Sequence, residues 1–363
     1  MTKLFDDAAD FASDALDGFV LANKYLVERV DGGVVRATRA AEPHVGVVIG
    51  GGSGHYPAFA GLVGKGFATG AVCGNIFTSP SAAQAYRVAA RADEGRGILF
   101  SFGNYAGDVL HFGLAQDRLR AEGIDVRTVL CTDDVASAPA NERHKRRGIA
   151  GDFTVFKIAG AAAERGLDLD EVERLAIAAN DNTFTLGVAF SGCTFPGADA
   201  PLFTVPEGTM SLGLGIHGEP GISEHEITSA AELATLLLKP LLLERPPDAG
   251  DRLALIVNGL GTIKCEELFV LYAHVAKLLE TEGLTIVEPE CGELVTSLDM
   301  GGASVTLLWL TPELEALWCD PAYTPGYRKG NTAGGELART HAAEASEGRQ
   351  PAAEDPDAPP LTP

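Results

Sequence analysis

The apolar run HVGVVIGGG, residues 44–52, enters a string of glycines, and this constrains the fold more than any other stretch. It reads as a buried strand whose end is turned into exposed backbone. GILFSFGNYAGD and VRTVLCTDD read as two further strands. Between and after them come helical patterns: SAAQAYRVAARADE, VLHFGLAQDRLRAEG, GDFTVFKIAGAAAERG and DLDEVERLAIAAND. Strands alternating with helices define an α/β class. Both glycine segments, GGG and GNYAGD, fall at the C-terminal ends of strands. Open α/β sheets bind ligands at that edge, so the two loops are expected to face one pocket.

A chain of 363 residues exceeds one ordinary core and predicts two domains. From about residue 190 the texture changes to short segments broken by glycine and proline. Residues 1–189 are therefore expected to form an N-terminal α/β domain, and residues 190–330 a second, smaller one. The latter carries a helix at SAAELATLLLKPLLLE, a strand at DRLALIVNGLG, a long helix at CEELFVLYAHVAKLLETEG, and the paired runs TIVEPECGEL and SVTLLWL. Residues 331–363 end in GRQPAAEDPDAPPLTP, acidic, proline-rich and without aromatics. Such a segment buries too little surface to offset chain entropy and reads as a linker or loose tail. No internal repeat of fixed period occurs.

A formal net charge of −22 argues against a nucleic-acid or anionic-membrane surface, which would need clustered Lys and Arg. Six cysteines lie far apart without a C-x-x-C pair, as expected of reduced, mostly buried thiols. The acidic, amphipathic start lacks the basic n-region of a signal peptide. The densest apolar run, LLLKPLLL, is interrupted by Lys239 and Pro240 and is too short for a membrane span. A cytoplasmic protein is expected.

The loop after the first strand, Gly50 to Gly54, presents backbone amides of the kind that bind oxygen atoms or anions. Gly64 and Lys65 are followed by Gly66 where a Walker A loop needs Ser or Thr, and His55 stands where a nucleophile elbow needs glycine. The loop is a structural turn or a substrate cradle, and His55 directly behind it favours the cradle. Asp108 follows at the end of GNYAGD, as a helix N-cap or as a general base toward a hydroxyl. GLGIHGEPG, residues 213–221, contains G-x-G-x-x-G, but Glu219, Pro220 and Gly221 follow where the dinucleotide fingerprint needs a helix. His44, His111, His144, His225 and His274 lack metal-ligand spacing and read as surface or core residues. The basic run ERHKRRG reads as a solvated loop, with docking through Arg146 and Arg147 as the sharper alternative. Trp309 and Trp318 read as core or interface residues.

Taken in order, GGGSGH, NYAGD, GDFTVFKIAGAAAERG, GLGIHGEPG, VNGLGT and TSLDMGGASVTL resemble the substrate-binding K subunit or domain of dihydroxyacetone kinases. The likeness runs from about residue 1 to 330 and implies that family's two-domain α/β fold. It implies that His217 attacks a ketone carbonyl and tethers the sugar as a hemiaminal. A neutral imidazole is a fair nucleophile near neutral pH, and glycerol, lacking the carbonyl, would be rejected. By the same matching Gly52 and Ser53 contact the substrate, His55 is the acid/base histidine, and Asp108 activates the hydroxyl that receives phosphate.

Two positions depart from the family pattern: Tyr56 replaces a common glutamate, and Gly103, before Asn104, replaces a common lysine. Tyr56, Gly103 and Asn104 are expected beside the pocket, and the glycine would enlarge it. A small ketose follows, dihydroxyacetone or a tetrulose such as erythrulose, since erythrulose kinases belong to the same family. No Walker loop or kinase signature occurs. The resemblance implies that this chain binds no cofactor or metal, and that phosphate comes from a separate helical L domain. That domain would carry either ATP with magnesium or ADP recharged by a phosphotransferase system. A homodimer is implied as well. The alternatives are a ketose-loaded, non-enzymatic regulator, or an aldolase or isomerase using Lys65 or Lys264.

Overall fold

In the computed structural model, residues 4–38 and 42–330 are described; the acidic, proline-rich segment expected as linker or tail lies outside the described residues. After helix α1 (Phe11–Ala22), the first sheet collects β1 (Val27–Val30), β2 (Gly33–Arg36), β3 (Gly46–Ser53), β4 (Gly70–Ile76), β5 (Ile98–Gly103) and β6 (Val126–Cys131). Their spatial order is β1-β2-β4-β3-β5-β6. The four strands from β4 to β6 run parallel, and β1 and β2 join antiparallel at one edge. Crossovers by α2 (Ala82–Ala92) and α3 (Ala106–Ala121) make the parallel pairing possible.

Alternation along these strands splits the apolar side chains between two layers. Val48, Ile98, Phe100 and Phe102 pack with residues of α2 and α3, whereas Val47, Ile49, Leu99 and Val129 pack with α4 (Asp152–Glu164) and α5 (Leu169–Asp181). A strand covered on both faces is continuously apolar, which is why HVGVVIGGG shows no period of two. Helix α4 is buried all round, as its mostly apolar FTVFKIAGAAA demands, and Lys157 goes in with it, donating through Nζ to the Leu317 carbonyl at 2.8 Å. Gly160 permits this: a Cβ there would lie 2.2 Å from the Phe67 carbonyl oxygen.

The second sheet is built from β7 (Thr183–Ala189), β8 (Thr209–Leu212), β9 (Ser223–Glu226), β10 (Arg252–Gly259), β11 (Thr285–Ile286), β12 (Glu290–Gly292) and β13 (Gly302–Trp309). Its order is β11-β10-β13-β7-β8-β9, with β12 also on β10. TIVEPECGEL and SVTLLWL do not pair with one another. Pro289 splits the former into β11 and β12, both parallel to β10, and β13 pairs β10 from the other side. Strand β7 belongs to this sheet, through β13, so the second sheet begins before the expected division at residue 190. Helices α6 (Ala230–Leu243) and α7 (Cys265–Thr281) cover its outer face, and Pro240 sits inside α6 without ending it.

Ala254, Ile256 and Leu308 of the second sheet share a core with α4, α5 and α8 (Pro312–Trp318). The α4/α5 layer thus lies between the two sheets, and residues up to Gly330 form one compact unit. Trp309 and Trp318 are buried, and all six cysteines are free. Among the described residues no helix is long and apolar enough to cross a membrane.

Candidate active site

The C-terminal ends of β3 and β5 open onto a cavity of about 270 Å³. Gly50, Gly51, Gly52 and His55 line it from the first loop; Gly103, Tyr105 and Asp108 line it from the second. Gly148 and Asp152 contribute from the approach to α4, and Ile216 and His217 from the glycine-rich loop before β9. The backbone at Gly52 passes the turn after β4 so closely that a Cβ would lie 2.7 Å from the Thr78 nitrogen. No helix follows Gly218, consistent with rejecting a dinucleotide loop.

His217 and His55, far apart in sequence, meet at Nε2 to Nε2, 3.1 Å apart. His55 Nδ1 lies 2.7 Å from the Thr296 carbonyl oxygen, which can only accept, so Nδ1 donates and Nε2 keeps a lone pair. Burial foremost, and then the charge of His217, hold the His55 ring down at about 3, so it is neutral. His217 Nδ1 lies 3.2 Å from Glu219 Oε1, and its backbone N–H donates to Glu219 Oε2 at 3.0 Å. Burial pushes the Glu219 carboxyl up, but the hydrogen bond and charge of His217, with Arg147 behind, outweigh it and hold the group at about 2. With a carboxylate at Nδ1 and a lone pair at Nε2, both ring nitrogens of His217 are called on to donate. Arg147 stands 3.7 Å from Glu219 and donates through Nε and Nη2 to Asp134 at 3.0 and 2.8 Å. The rings of Tyr105 and Phe77 approach His217 edge-on at 4.9 Å each.

Asp108 is not an N-cap. That position is Tyr105, and Asp108 sits inside the first turn of α3. Its carboxyl is buried, with Oδ1 unpartnered among the described residues. Burial raises it to about 6 against the opposing Ser79 hydrogen bond and the charges of His217 and His111. A carboxylate so placed is a stronger proton acceptor than one in water.

Other expected residues fall elsewhere. Ser53 and Tyr56 line a separate, mostly apolar cavity of about 340 Å³ against α1, which Gly52 also touches. Ser53 Oγ donates to the Gly74 carbonyl at 2.6 Å, and Tyr56 packs its exposed ring near Phe19. Asn104 Nδ2 donates to the His144 and Arg146 carbonyls, a loop-fixing role outside the cavity lining. Neither Arg146 nor Arg147 is a solvated or docking residue. Arg146 is buried and forks onto Glu244, and Arg147 is spent on Asp134 and Glu219. Lys65 and Lys264 are exposed and do not line the cavity. Among the described residues no group of three His, Cys, Asp or Glu side chains converges as a metal site. Sequence reasoning missed Glu219 and Asp152. Only the charge of Asp152 at the head of a mostly apolar helix hinted at the second.

Fold and cavity define an α/β protein with two large sheets and a small chamber built around paired histidines. The chain belongs to the Dak1 domain family, whose profile matches residues 17–326. It is 61% identical over 330 residues to a D-erythrulose kinase of Mycolicibacterium smegmatis, covering 91% of this chain and 57% of that one. It is 41% identical over 331 residues to the dihydroxyacetone-binding subunit of the PTS-dependent dihydroxyacetone kinase 2 of Listeria innocua, covering 90% and 99%. The crystal structure of the dihydroxyacetone kinase of C. freundii superposes with a TM-score of 0.81 at 36% identity, over 90% of this chain and 60% of that one. The chain spans about three-fifths of the length of the erythrulose kinases it matches.

Proposed function

We propose that this chain holds and orients the acceptor sugar of a small-ketose kinase. The reading rests on one observation: two imidazoles in Nε2 contact, with Glu219 behind one of them, share a cavity with the buried carboxylate of Asp108. A ketose enters with its carbonyl carbon toward His217. The Nε2 proton of His217 passes to Nε2 of His55, which frees the attacking lone pair. That pair bonds the carbonyl carbon, the π electrons move to oxygen, and His55 returns the proton to that oxygen. The product is a hemiaminal on a substituted imidazolium, still facing the Glu219 carboxylate, so no charge is created or lost in the cavity. An end hydroxyl of the tethered sugar then gives its proton to Asp108 as the oxygen takes the phosphoryl group.

The phosphoryl donor, ATP with magnesium or a recharged nucleotide, belongs in this reading to an L-type partner domain. This chain supplies orientation, a large share of such catalysis. The name of the 61% identical relative supports a tetrulose, with dihydroxyacetone as the smaller alternative. A purely regulatory ketose sensor would have no use for an ionisable base beside the tethered sugar. The test is a crystal soaked in turn with erythrulose, dihydroxyacetone and glycerol. Continuous density from His217 Nε2 to a sugar carbon is expected for the ketoses alone. Ketoses held without that bond, or glycerol held equally well, would overturn the reading.

A further inference from the structure

We propose that the Asp152 carboxyl is a specificity-determining group, which hydrogen-bonds the hydroxyl that a four-carbon ketose carries and a three-carbon ketose lacks. This rests on the sugar-holding role proposed above. Asp152 lines the same cavity as His217, His55 and Asp108, is 4% exposed, and has an Oδ1 with no hydrogen-bond partner among the described residues. Its neighbour Asp133 shows what a structural carboxyl looks like at this place in the fold. Asp133 accepts the backbone N–H groups of Ile149 and Gly151 at 3.0 and 2.8 Å and ties down the approach to α4. Asp152, the first residue of that helix, makes no capping bond, since the N-cap is Gly151.

Two glycines clear its way to the cavity. A Cβ on Gly148 would lie 2.4 Å from Asp152 Oδ1 and 2.5 Å from the Gly103 Cα. Gly103 itself lines the cavity, so a side chain at Gly148 would wall the carboxyl off. Burial foremost and then the Asp133 carboxylate push Asp152 well above the usual range, against the Cys131 thiol beside it, with Asp108 adding to the rise. A buried carboxyl whose charge is disfavoured in this way, and whose Oδ1 is unpartnered among the described residues, matches a sugar hydroxyl without a counter-ion. His217 and His55 are occupied by the carbonyl and Asp108 by the phosphate-accepting hydroxyl. A site whose buried polar atom waits for a partner discriminates strongly against the analogue that lacks it.

The test is calorimetric titration of the full chain with erythrulose and with dihydroxyacetone, for wild type, Asp152→Ala and Asp152→Asn, with thermal melts of each. Asp152→Ala is expected to weaken erythrulose at least about tenfold while dihydroxyacetone changes less than about twofold. Asp152→Asn, whose amide also donates and accepts, should keep most of the erythrulose affinity. Should the alanine variant not fold, Asp152→Leu takes its place. Equal losses for both sugars, or no change for either, would overturn the assignment of Asp152 alone. A wild-type chain that binds neither sugar, or a His217→Ala variant that still tethers them, would instead overturn the sugar-holding reading and this one with it.

Discussion

Asp108 couples function to stability at the scale of one residue. Its folded-state pKa, raised to about 6, means that folding favours the protonated form. The stability this gives is full below the unfolded value of about 4, is lost as pH climbs through about 6, and is absent at neutral pH. In the base role proposed above, by contrast, Asp108 works only when ionised. Asp108→Asn is therefore expected to raise stability at pH 7.5 by on the order of 2–3 kcal/mol and to lower turnover by about 10²–10⁴-fold. Denaturant melts at pH 7.5 and 4 check the first half, since the difference should vanish at the lower pH. A turnover profile checks the second: wild-type activity should fall about tenfold per pH unit below 6. Glu219→Gln keeps the shape but removes the carboxylate that holds the positive ring of His217. Because that carboxylate faces the ring before and after tethering, losing a charge-assisted hydrogen bond of about 1.5–3 kcal/mol predicts a comparable loss of folding stability, read by denaturant melts.

At the scale of the element, α3 turns Asp108 inward and presents Val109, Leu110 and Leu114 outward, at 41%, 58% and 53% exposure. In the reading proposed above, the donor domain that delivers phosphate to a hydroxyl beside Asp108 docks over this face, and apolar side chains suit such a contact. Leu110→Glu is expected to cut turnover with the donor domain several-fold, as desolvating a charge at an apolar contact costs affinity. Sugar tethering by the isolated chain should be unchanged, which density in a soaked crystal would check. Helix α4 was legible in sequence because FTVFKIAGAAA is apolar but for Thr154 and Lys157, both of which the fold buries. What that helix lies between was not legible, since the same pattern fits any helix buried on all sides.

For the whole molecule, the pair Arg146–Glu244 joins the segment before α4 to the C-cap of α6. The Arg146 side chain is 1% exposed and also donates to the Ala138 carbonyl at 2.8 Å. Arg146→Ala would strand Glu244 and is expected to cost about 3–5 kcal/mol, read as a lowered melting temperature. A surface docking residue would leave stability unchanged. In sequence this arginine looked solvated because charge runs usually are, and nothing local announces a partner on a distant helix. The alternation of strands with helices and the glycine-ended strands were legible in the sequence itself, because apolar period and glycine at a strand end are local chemistry. His55, Asp108 and His217 stood out as candidates through ordered motifs that resemble a known family. Only the tertiary structure decided that the two histidines touch, that Glu219 and Arg147 stand behind one of them, and that Asp152 reaches the same chamber. Those facts depend on burial and on neighbours brought together from both sheets, and a one-dimensional pattern carries neither.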